Sequence, residues 1–337
     1  MSEPDITLTL DEVLDLAGQA LRRSGASELQ AGATARSIRD AEADGLRTIG
    51  LDYLPTYCDH VSCGKVAGSA VPAVSRPRSA TVVVDAGHGF CHPAFEAGSQ
   101  PLVDAARACG IAILAIEHSS SAGVLGWFVE QLARDGLVAI MFANSSSLMA
   151  PAGGSRPFFG TNPIAWAVPR RDGDPVVADL SSSAVAWVKV RAAAEAGEPI
   201  PLGWAIDADG APTTDACAAL AGSMLPAAGH KGSSLALLVD IMSGGVAGSN
   251  FSFEAAPFAG TSGGPPDVGQ VVLAIDPTAT MGDRYVDRIE VELRALQGEP
   301  GARLPGDRRL AQRRLAAERG VQVPQQLMSV LRGYTAG

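Results

Sequence analysis

Basic residues are scarce in this sequence. Its 337 residues carry 26 Lys and Arg against 36 Asp and Glu, a formal charge of −10, and no Lys/Arg run is longer than a pair. That balance excludes a nucleic-acid-binding face and an electrostatic grip on anionic membranes, so an anionic ligand has to be held locally. Long apolar runs are missing too. None approaches the roughly 20 residues of a membrane helix, and the N-terminal stretch "MSEPDITLTLDEV" has no apolar signal-peptide core. The five cysteines, Cys58, Cys63, Cys91, Cys109 and Cys217, are odd in number and form no CxxC pair, which argues against both a disulfide framework and a zinc knuckle. These absences predict a soluble, cytoplasmic protein with no membrane partner. A GxGxxG fingerprint is absent as well: "GHGFCH" and "GGVAG" both fail the spacing, so a Rossmann dinucleotide site is not supported.

What the chain does have is 47% apolar residues, 38 Gly and 22 Pro, the profile of a loop-rich globular protein long enough for two compact domains. Thr9 with Glu12, and Ser27 with Gln30, have capping-box spacing before two helical stretches that Gly25 and Gly45 stop. A connector, "GKVAGSAVPAVSRPRS", precedes a strand, "ATVVVDAG". Then "QPLVDAARACG" and "GVLGWFVEQLARDG" read as helices alternating with the strands "IAILAI" and "LVAIMFANS", an α/β pattern. "PIAWAVPR" and "PVVADL", joined by "RDGD", read as a hairpin that brings antiparallel pairing into the sheet. "SSLALLVDIMSGG" is a helix, "VGQVVLAIDP" a further strand, and the tail is mostly helical. The expected organisation is a helical domain over 1–78, a sheet domain over 79–250, and a strand with a C-terminal helical segment over 251–337.

Several stretches have the residue types of a site. In "AAGHKGSSLALLVDIM", glycines flank His230 and Lys231 just before a helix whose N-terminal N–H groups and dipole favour a phosphate or carboxylate, with Ser233 or Ser234 as cap. A tight loop with solvated His230 and Lys231 is the plainer alternative. His118, Ser119, Ser120 and Ser121 follow a strand whose C-terminal end faces the ligand crevice of an α/β sheet, although small polar residues there also suit a helix cap. Thr161 and Asn162 lie in a Gly/Pro-rich segment that offers side-chain hydrogen bonds. Asp179, before Ser181, reads as a base, as an orienter of an imidazole, or as an N-cap. Asp85, His88 and His92 have a metal-like spacing but no further ligands nearby, and no metal is expected.

Together these pieces resemble the type 2 malate/L-lactate dehydrogenase family of NAD(P)-dependent, non-Rossmann oxidoreductases. The resemblance runs from Leu8 to Arg309 and is carried by "APAGGSRPFFGTNPIAWAVP", "GWAIDADGAPTTD", "LAGSMLPAAGHKGSSLALLVDIMSGGVAG" and "RLPGD". It is nearest to the branch that reduces Δ1-piperideine-2-carboxylate and Δ1-pyrroline-2-carboxylate. It implies an α/β fold with a central, mainly antiparallel sheet and helical N- and C-terminal portions, a homodimer, NADPH (or NADH) as cofactor and a small-molecule substrate. By match, His118 to Ser121, Thr161, Asn162, Asp179, Leu180, Ser181, Arg303, Gly306 and Asp307 correspond to the cofactor side. His230, Lys231, Asp179, Tyr53 and Thr48 are the candidate catalytic residues.

Where the family has Ser-His-Gly followed three residues later by Arg, this sequence has Thr48, Ile49, Gly50 and Tyr53. The proton donor and the carboxylate-holding guanidinium are thereby replaced. The expectation is a reductase with a diverged site, acting on a cyclic imine or a carbonyl, with His230, Lys231 or Tyr53 as proton donor. A non-redox enzyme using Asp179 and His230 as acid and base, and a binding protein with an inactive site, are the alternatives.

Overall fold

The computed structural model describes residues 4–336. Strand β1 (Ile6–Leu8) leads into helices α1 (Leu10–Arg23), α2 (Glu28–Ala43) and α3 (Leu54–Ser62). The capping box of α1 closes as its spacing predicts: the Thr9 hydroxyl accepts from the Glu12 N–H at 3.2 Å, and the Thr9 N–H donates to the Glu12 carboxylate at 2.7 Å. At α2 only half of the box forms. Ser27 accepts from the Gln30 N–H at 3.3 Å, but the buried Gln30 amide turns away, donating to Ala70 O and accepting from the Phe90 N–H, each at 2.8 Å.

The sheet follows. Strands β2 (Ala73–Arg78) and β3 (Thr81–Asp85) pair first; α4 (Cys91–Cys109) leads to β4 (Ile111–Ser119) and α5 (Leu125–Arg134) to β5 (Val138–Ala143). Strands β6 (Ile164–Val168) and β7 (Val176–Leu180) form the predicted hairpin. A small lobe comes next: α6 (Trp187–Ala196), β8 (Ala205–Ile206), β9 (Pro212–Thr213), α7 (Ala216–Ala221) and β10 (Ser223–Met224). Helix α8 (His230–Asp240) runs on as a π turn over Ile241–Val246. Strand β11 (Val268–Ile275) re-enters the sheet before α9 (Thr278–Met281), α10 (Arg284–Gly298), α11 (Asp307–Arg319), β12 (Val321–Val323) and α12 (Gln325–Thr335).

The central sheet has the order β2-β3-β4-β11-β5-β6-β7, and only β3 and β4 run parallel. It is the mainly antiparallel sheet that the resemblance implies. Helices α4 and α5 cover one face, packing Phe95, Leu102, Phe128 and Leu132 onto Val82, Val84, Leu114 and Ile116. On the other face Val239 and Ala247 meet Ala115, Phe142 and Val271. With both faces covered, β11 in the middle shows no alternation of apolar and polar residues. The close approach of α4 needs Gly98, where a Cβ would stand 2.7 Å from Leu114 Cδ1 and 2.9 Å from Val84 Cγ2. The N-terminal helices share a second core with α12: Leu21, Ile38, Leu54 and Tyr57 pack with Val323, Met328 and Leu331.

The structure differs from the sequence reading in several places. The "connector" contains β2, an exposed edge strand that holds Pro77 and carries no hydrophobic alternation to betray it. Helix α4 begins at Cys91, well before "QPLVDAARACG", because Pro93 sits in its first turn, where a missing N–H is tolerated, while Pro101 hides its continuity. The short strands β8, β9 and β10, and helices α6 and α7, were not anticipated.

One buried ion network joins the two cores. Arg313 on α11 makes paired hydrogen bonds to Asp44, at the end of α2 (2.8 and 3.0 Å), and to Glu130 on α5 (2.6 and 3.0 Å). Arg309 adds contacts to Glu130 at 3.2 Å and to Asp44 at 3.3 Å. Burial works to raise the Glu130 pKa, but Arg313 and Arg309 overcome it and bring that carboxyl down to about 2. Removing one partner strands the opposite charges away from water. Arg313→Met is therefore expected to lower the unfolding free energy by about 3 kcal/mol, measured in urea, while Arg22→Ala at the exposed Arg22–Glu28 pair moves the midpoint little. Equal effects would remove the network from its structural role.

Candidate active site

Two cavities meet at the start of α5, where Val124 borders one and Leu125 the other. The first, of about 540 Å³, is lined by Thr48, Ile49, Tyr53, Ser121 and Thr161, by Arg191 and Trp187 of α6, and by Phe253 and Phe258. The second, also about 540 Å³, is lined by Asp179, Arg303, Gly306 and Asp307 together with Arg308 and Arg309.

Tyr53 lies edge-on to Tyr57, with ring centroids 4.8 Å apart. Burial pushes both phenols above their ordinary pKa, an effect that the neighbouring Ser121 hydroxyl only partly opposes. The turn carrying Ser121 is pressed against them. A Cβ at Gly123 would stand 2.9 Å from the Tyr57 hydroxyl and 3.6 Å from Ile49 Cγ2, and its φ of 65° favours glycine in any case.

Asp179 answers its three-way sequence reading with a geometry of its own. It accepts the Gly126 N–H at 2.8 Å and so caps α5, whose own N-cap position is Val124, a residue with no side-chain acceptor. Burial raises its pKa, against the pull of the Gly126 N–H and Arg309. Gly126 leaves room for Arg309, whose Nη1 would stand 2.9 Å from a Cβ there. Asp307 closes its own turn, accepting the Leu304 N–H at 3.0 Å.

A sequence profile of the malate/L-lactate dehydrogenase family matches residues 8–332. The chain belongs to the malate/L-lactate dehydrogenase family. It is 47% identical over 327 residues to a (2R)-3-sulfolactate dehydrogenase (NADP(+)) of Chromohalobacter salexigens, covering 97% of each chain. Over 330 residues it is 40% identical to a Δ1-pyrroline-2-carboxylate reductase of Pseudomonas fluorescens, covering 97% of this chain and 98% of that one. The crystal structure of Δ1-piperideine-2-carboxylate reductase from Pseudomonas syringae pv. tomato superposes with a TM-score of 0.93 at 38% identity, covering 98% of this chain and 99% of that one. This member of the family is an oxidoreductase.

The cavities gather some of the residues picked out from the sequence and leave others aside. Thr48, Tyr53, Ser121 and Thr161 share the first; Asp179, Arg303, Gly306 and Asp307 share the second. Asn162 lines neither cavity. Asn162 is fully buried, its amide donates to Ala236 O at 3.0 Å and accepts from Ser252 at 3.1 Å, and it serves as an internal brace for α8. Ser119 and Ser120 are likewise buried, while Leu180 is exposed and Ser181 accepts from Ser183 at 3.0 Å; none of the four lines either cavity.

His230 and Lys231 are exposed at the start of α8 and line neither cavity, so the structure does not seat His230 beside Asp179. The serines do not cap that helix either: Ser233 accepts the Ala152 N–H at 3.2 Å, Ser234 donates back to His230 O at 2.8 Å, and Gly229 holds the cap position. Sequence reasoning missed Arg191 and the Asn144–Ser147 lining. Nothing in the spacing of "WVKVRAAAEAG" marks its arginine as facing a cavity.

His118 also lies outside both cavities. Its Nδ1 is 3.0 Å from Asp85 Oδ1, its ring is 5.5 Å from that of His88, and its N–H donates to Ser249 at 3.0 Å. Asp85, Glu117 and His118 place ligand-type atoms within 4.8 Å of one another. His92, the third residue of the metal-like spacing, is elsewhere, stacked on Phe128 and pushed down to about 3 by burial. For His118, burial favours the neutral ring, but Asp85 and Asp267 win and the pKa is raised above 6.5. A raised folded-state pKa stabilises fully below the unfolded value and loses that contribution as pH climbs through the folded value. Thermal stability of the wild type relative to His118→Gln is therefore expected to be greatest just below pH 6.5 and to shrink at alkaline pH. A difference that grew with pH would show that the pair does not favour the imidazolium.

Proposed function

We propose that the protein is an NADPH-dependent reductase that reduces the C=N bond of a small cyclic imine in the first cavity, with the cofactor's phosphates in the second. The observation that carries this reading is the lining of the first cavity. It includes no His, Lys, Asp or Glu, and its one side chain with a transferable proton near the aqueous range is Tyr53, whose pKa burial raises. Reduction of a carbonyl leaves an alkoxide that must be met by an acid, and loss of a positioned acid typically costs about 10²–10⁴ in rate. An iminium arrives protonated and is neutralised by reduction. Its N–H needs an acceptor, and the lining offers neutral oxygen-bearing side chains at Thr48, Ser121, Asn144 and Thr161.

The second cavity fits the cofactor. Arg303 and Arg308 supply guanidinium donors for phosphate, and the backbone is bared at Gly301 and at Gly306, whose φ is 92°. NADPH, when bound, supplies a hydride. The chain's own part is to hold the dinucleotide at Arg303 and Arg308, to keep α5 capped by Asp179 between the two cavities, and to enclose the substrate among Ile49, Trp187, Phe253 and Phe258. The relatives support the same reading: two are named as reductases of cyclic imines and one as an NADP(+)-dependent dehydrogenase.

We also infer a homodimer in the cytoplasm. Leu237, Leu238, Ile241 and Val246 expose an apolar stripe along α8 and its π turn, which a second copy would cover.

Arg303→Ala is expected to weaken NADPH binding about tenfold in a fluorescence titration, the loss of one charge-assisted contact. Unchanged affinity would move the phosphates out of this cavity. Restoring the family's pattern with Ile49→His and Tyr53→Arg together is expected to raise turnover of Δ1-piperideine-2-carboxylate, followed by NADPH oxidation. No gain would mean that the cavity has diverged beyond these two positions.

A further inference from the structure

The residues lining the first cavity include a single charged side chain, Arg191. It projects from α6, an element of the small lobe, on the wall shared with Trp187 and Val188. The remaining polar lining is neutral: Thr48, Tyr53, Thr56, Ser121, Asn144 to Ser147, Thr161 and Ser252. A lone guanidinium in such a setting is not balanced by the protein. Its only ion pair among the described residues is a loose contact with Glu195 at 3.5 Å, one helical turn away, and both side chains there are open to solvent, at 49% and 70%. Its charge nevertheless reaches inward. Burial raises the pKa of both Tyr53 and Asp52, and Arg191 opposes that rise at each.

We propose that Arg191 is the residue that holds the substrate's anionic group. On this view the substrate is a small monoanion, a carboxylate or sulfonate attached to the carbon skeleton that is reduced, with its charge at Arg191 and its ring or chain against Ile49, Trp187, Phe253 and Phe258. A planar fork of N–H donors fits a carboxylate through two parallel hydrogen bonds, and it keeps its charge at every physiological pH. Tyr53, in the same lining, then makes a neutral hydroxyl contact and has no need to carry the anion. The specificity that follows is asymmetric. A neutral analogue leaves the guanidinium unpaired, whereas a dianion finds no second cation in the lining.

This inference deepens the reductase reading and rests on it for the chemistry, but not for the binding. The test separates the two. Pyrrole-2-carboxylate and its neutral isostere pyrrole-2-carboxamide are titrated calorimetrically into wild type, Arg191→Ala, Arg191→Lys and Glu195→Gln, each with and without NADPH, after NADPH affinity alone has been measured for every variant. The wild type and Glu195→Gln are expected to prefer the carboxylate by about ten- to a hundredfold. Arg191→Ala is expected to lose that preference with its carboxamide and NADPH affinities intact, and Arg191→Lys to regain part of it. A carboxylate preference that survives in Arg191→Ala, or that the wild type never shows, overturns the proposal. If the preference is present and lost as expected but no protein binds NADPH, the anion site stands and the reductase reading fails.

Discussion

Two guanidinium groups held between two buried carboxylates fix the ground on which the rest of the site stands. Asp44 ends α2 and is followed four residues later by Thr48; Glu130 lies on α5, the helix that begins at the junction of the cavities; Arg309 and Arg313 lie on α11, just after the turn that carries Arg303 to Asp307. Three walls of the two cavities thus hang from one cluster of four charges. A buried ion pair contributes little net stability, because desolvation offsets most of the attraction, but it tolerates only one arrangement of its partners. The network therefore acts mainly on geometry. It sets the distance between the helical core and the sheet, and with it the width of the clefts between them.

Asp179 extends that constraint from the helices to the sheet. Its position at the end of β7 brings a carboxylate to the N-terminus of α5, and the glycine at position 126 lets Arg309 approach the same point. Strand, helix start and ion network are consequently coupled. The N-terminal N–H groups of α5 are engaged by the protein's own anion, so this helix terminus is not a phosphate site of the kind found in Rossmann domains. Arg303 on the loop before α11 and Arg308 in its first turn line the second cavity instead.

Much of the fold was legible where a local rule decides the structure. Thr9 and Glu12 gave the start of α1, the alternation from β3 to β5 gave the layered sheet, and the turn "RDGD" gave the β6–β7 hairpin. The failures have physical causes. Pro93 and Pro101 masked α4, the lack of a buried face masked β2, and Gln30 abandoned its capping role because a long-range bond to Phe90 was available. At the site, Tyr53, Thr161, Asp179 and Arg303, named through the family resemblance, line the two cavities, whereas Asn162 is buried and braces α8 from a backbone with a φ of 38°. Arg191 was invisible for the opposite reason. An arginine in the middle of a helix carries no local signature of what it faces, and only the return of the small lobe over the sheet gives it a cavity to line.

The composition of that cavity also limits the chemistry available. A cleft whose only charge is permanent and whose only phenol is held above its ordinary pKa cannot exchange protons readily with its contents near neutral pH. It can stabilise an anion that is present before and after the reaction, which lowers the energy of the bound ground state and transition state alike, and so contributes to affinity more than to turnover. The acceleration must then come from orientation and from the substrate's own electrophilicity. A protonated C=N bond supplies that electrophilicity without help. A ketone supplies neither the charge nor the proton. In the proposed reading, Ile49, Tyr53 and Arg191 are parts of one arrangement, in which the anion is held from α6 and the proton travels with the substrate.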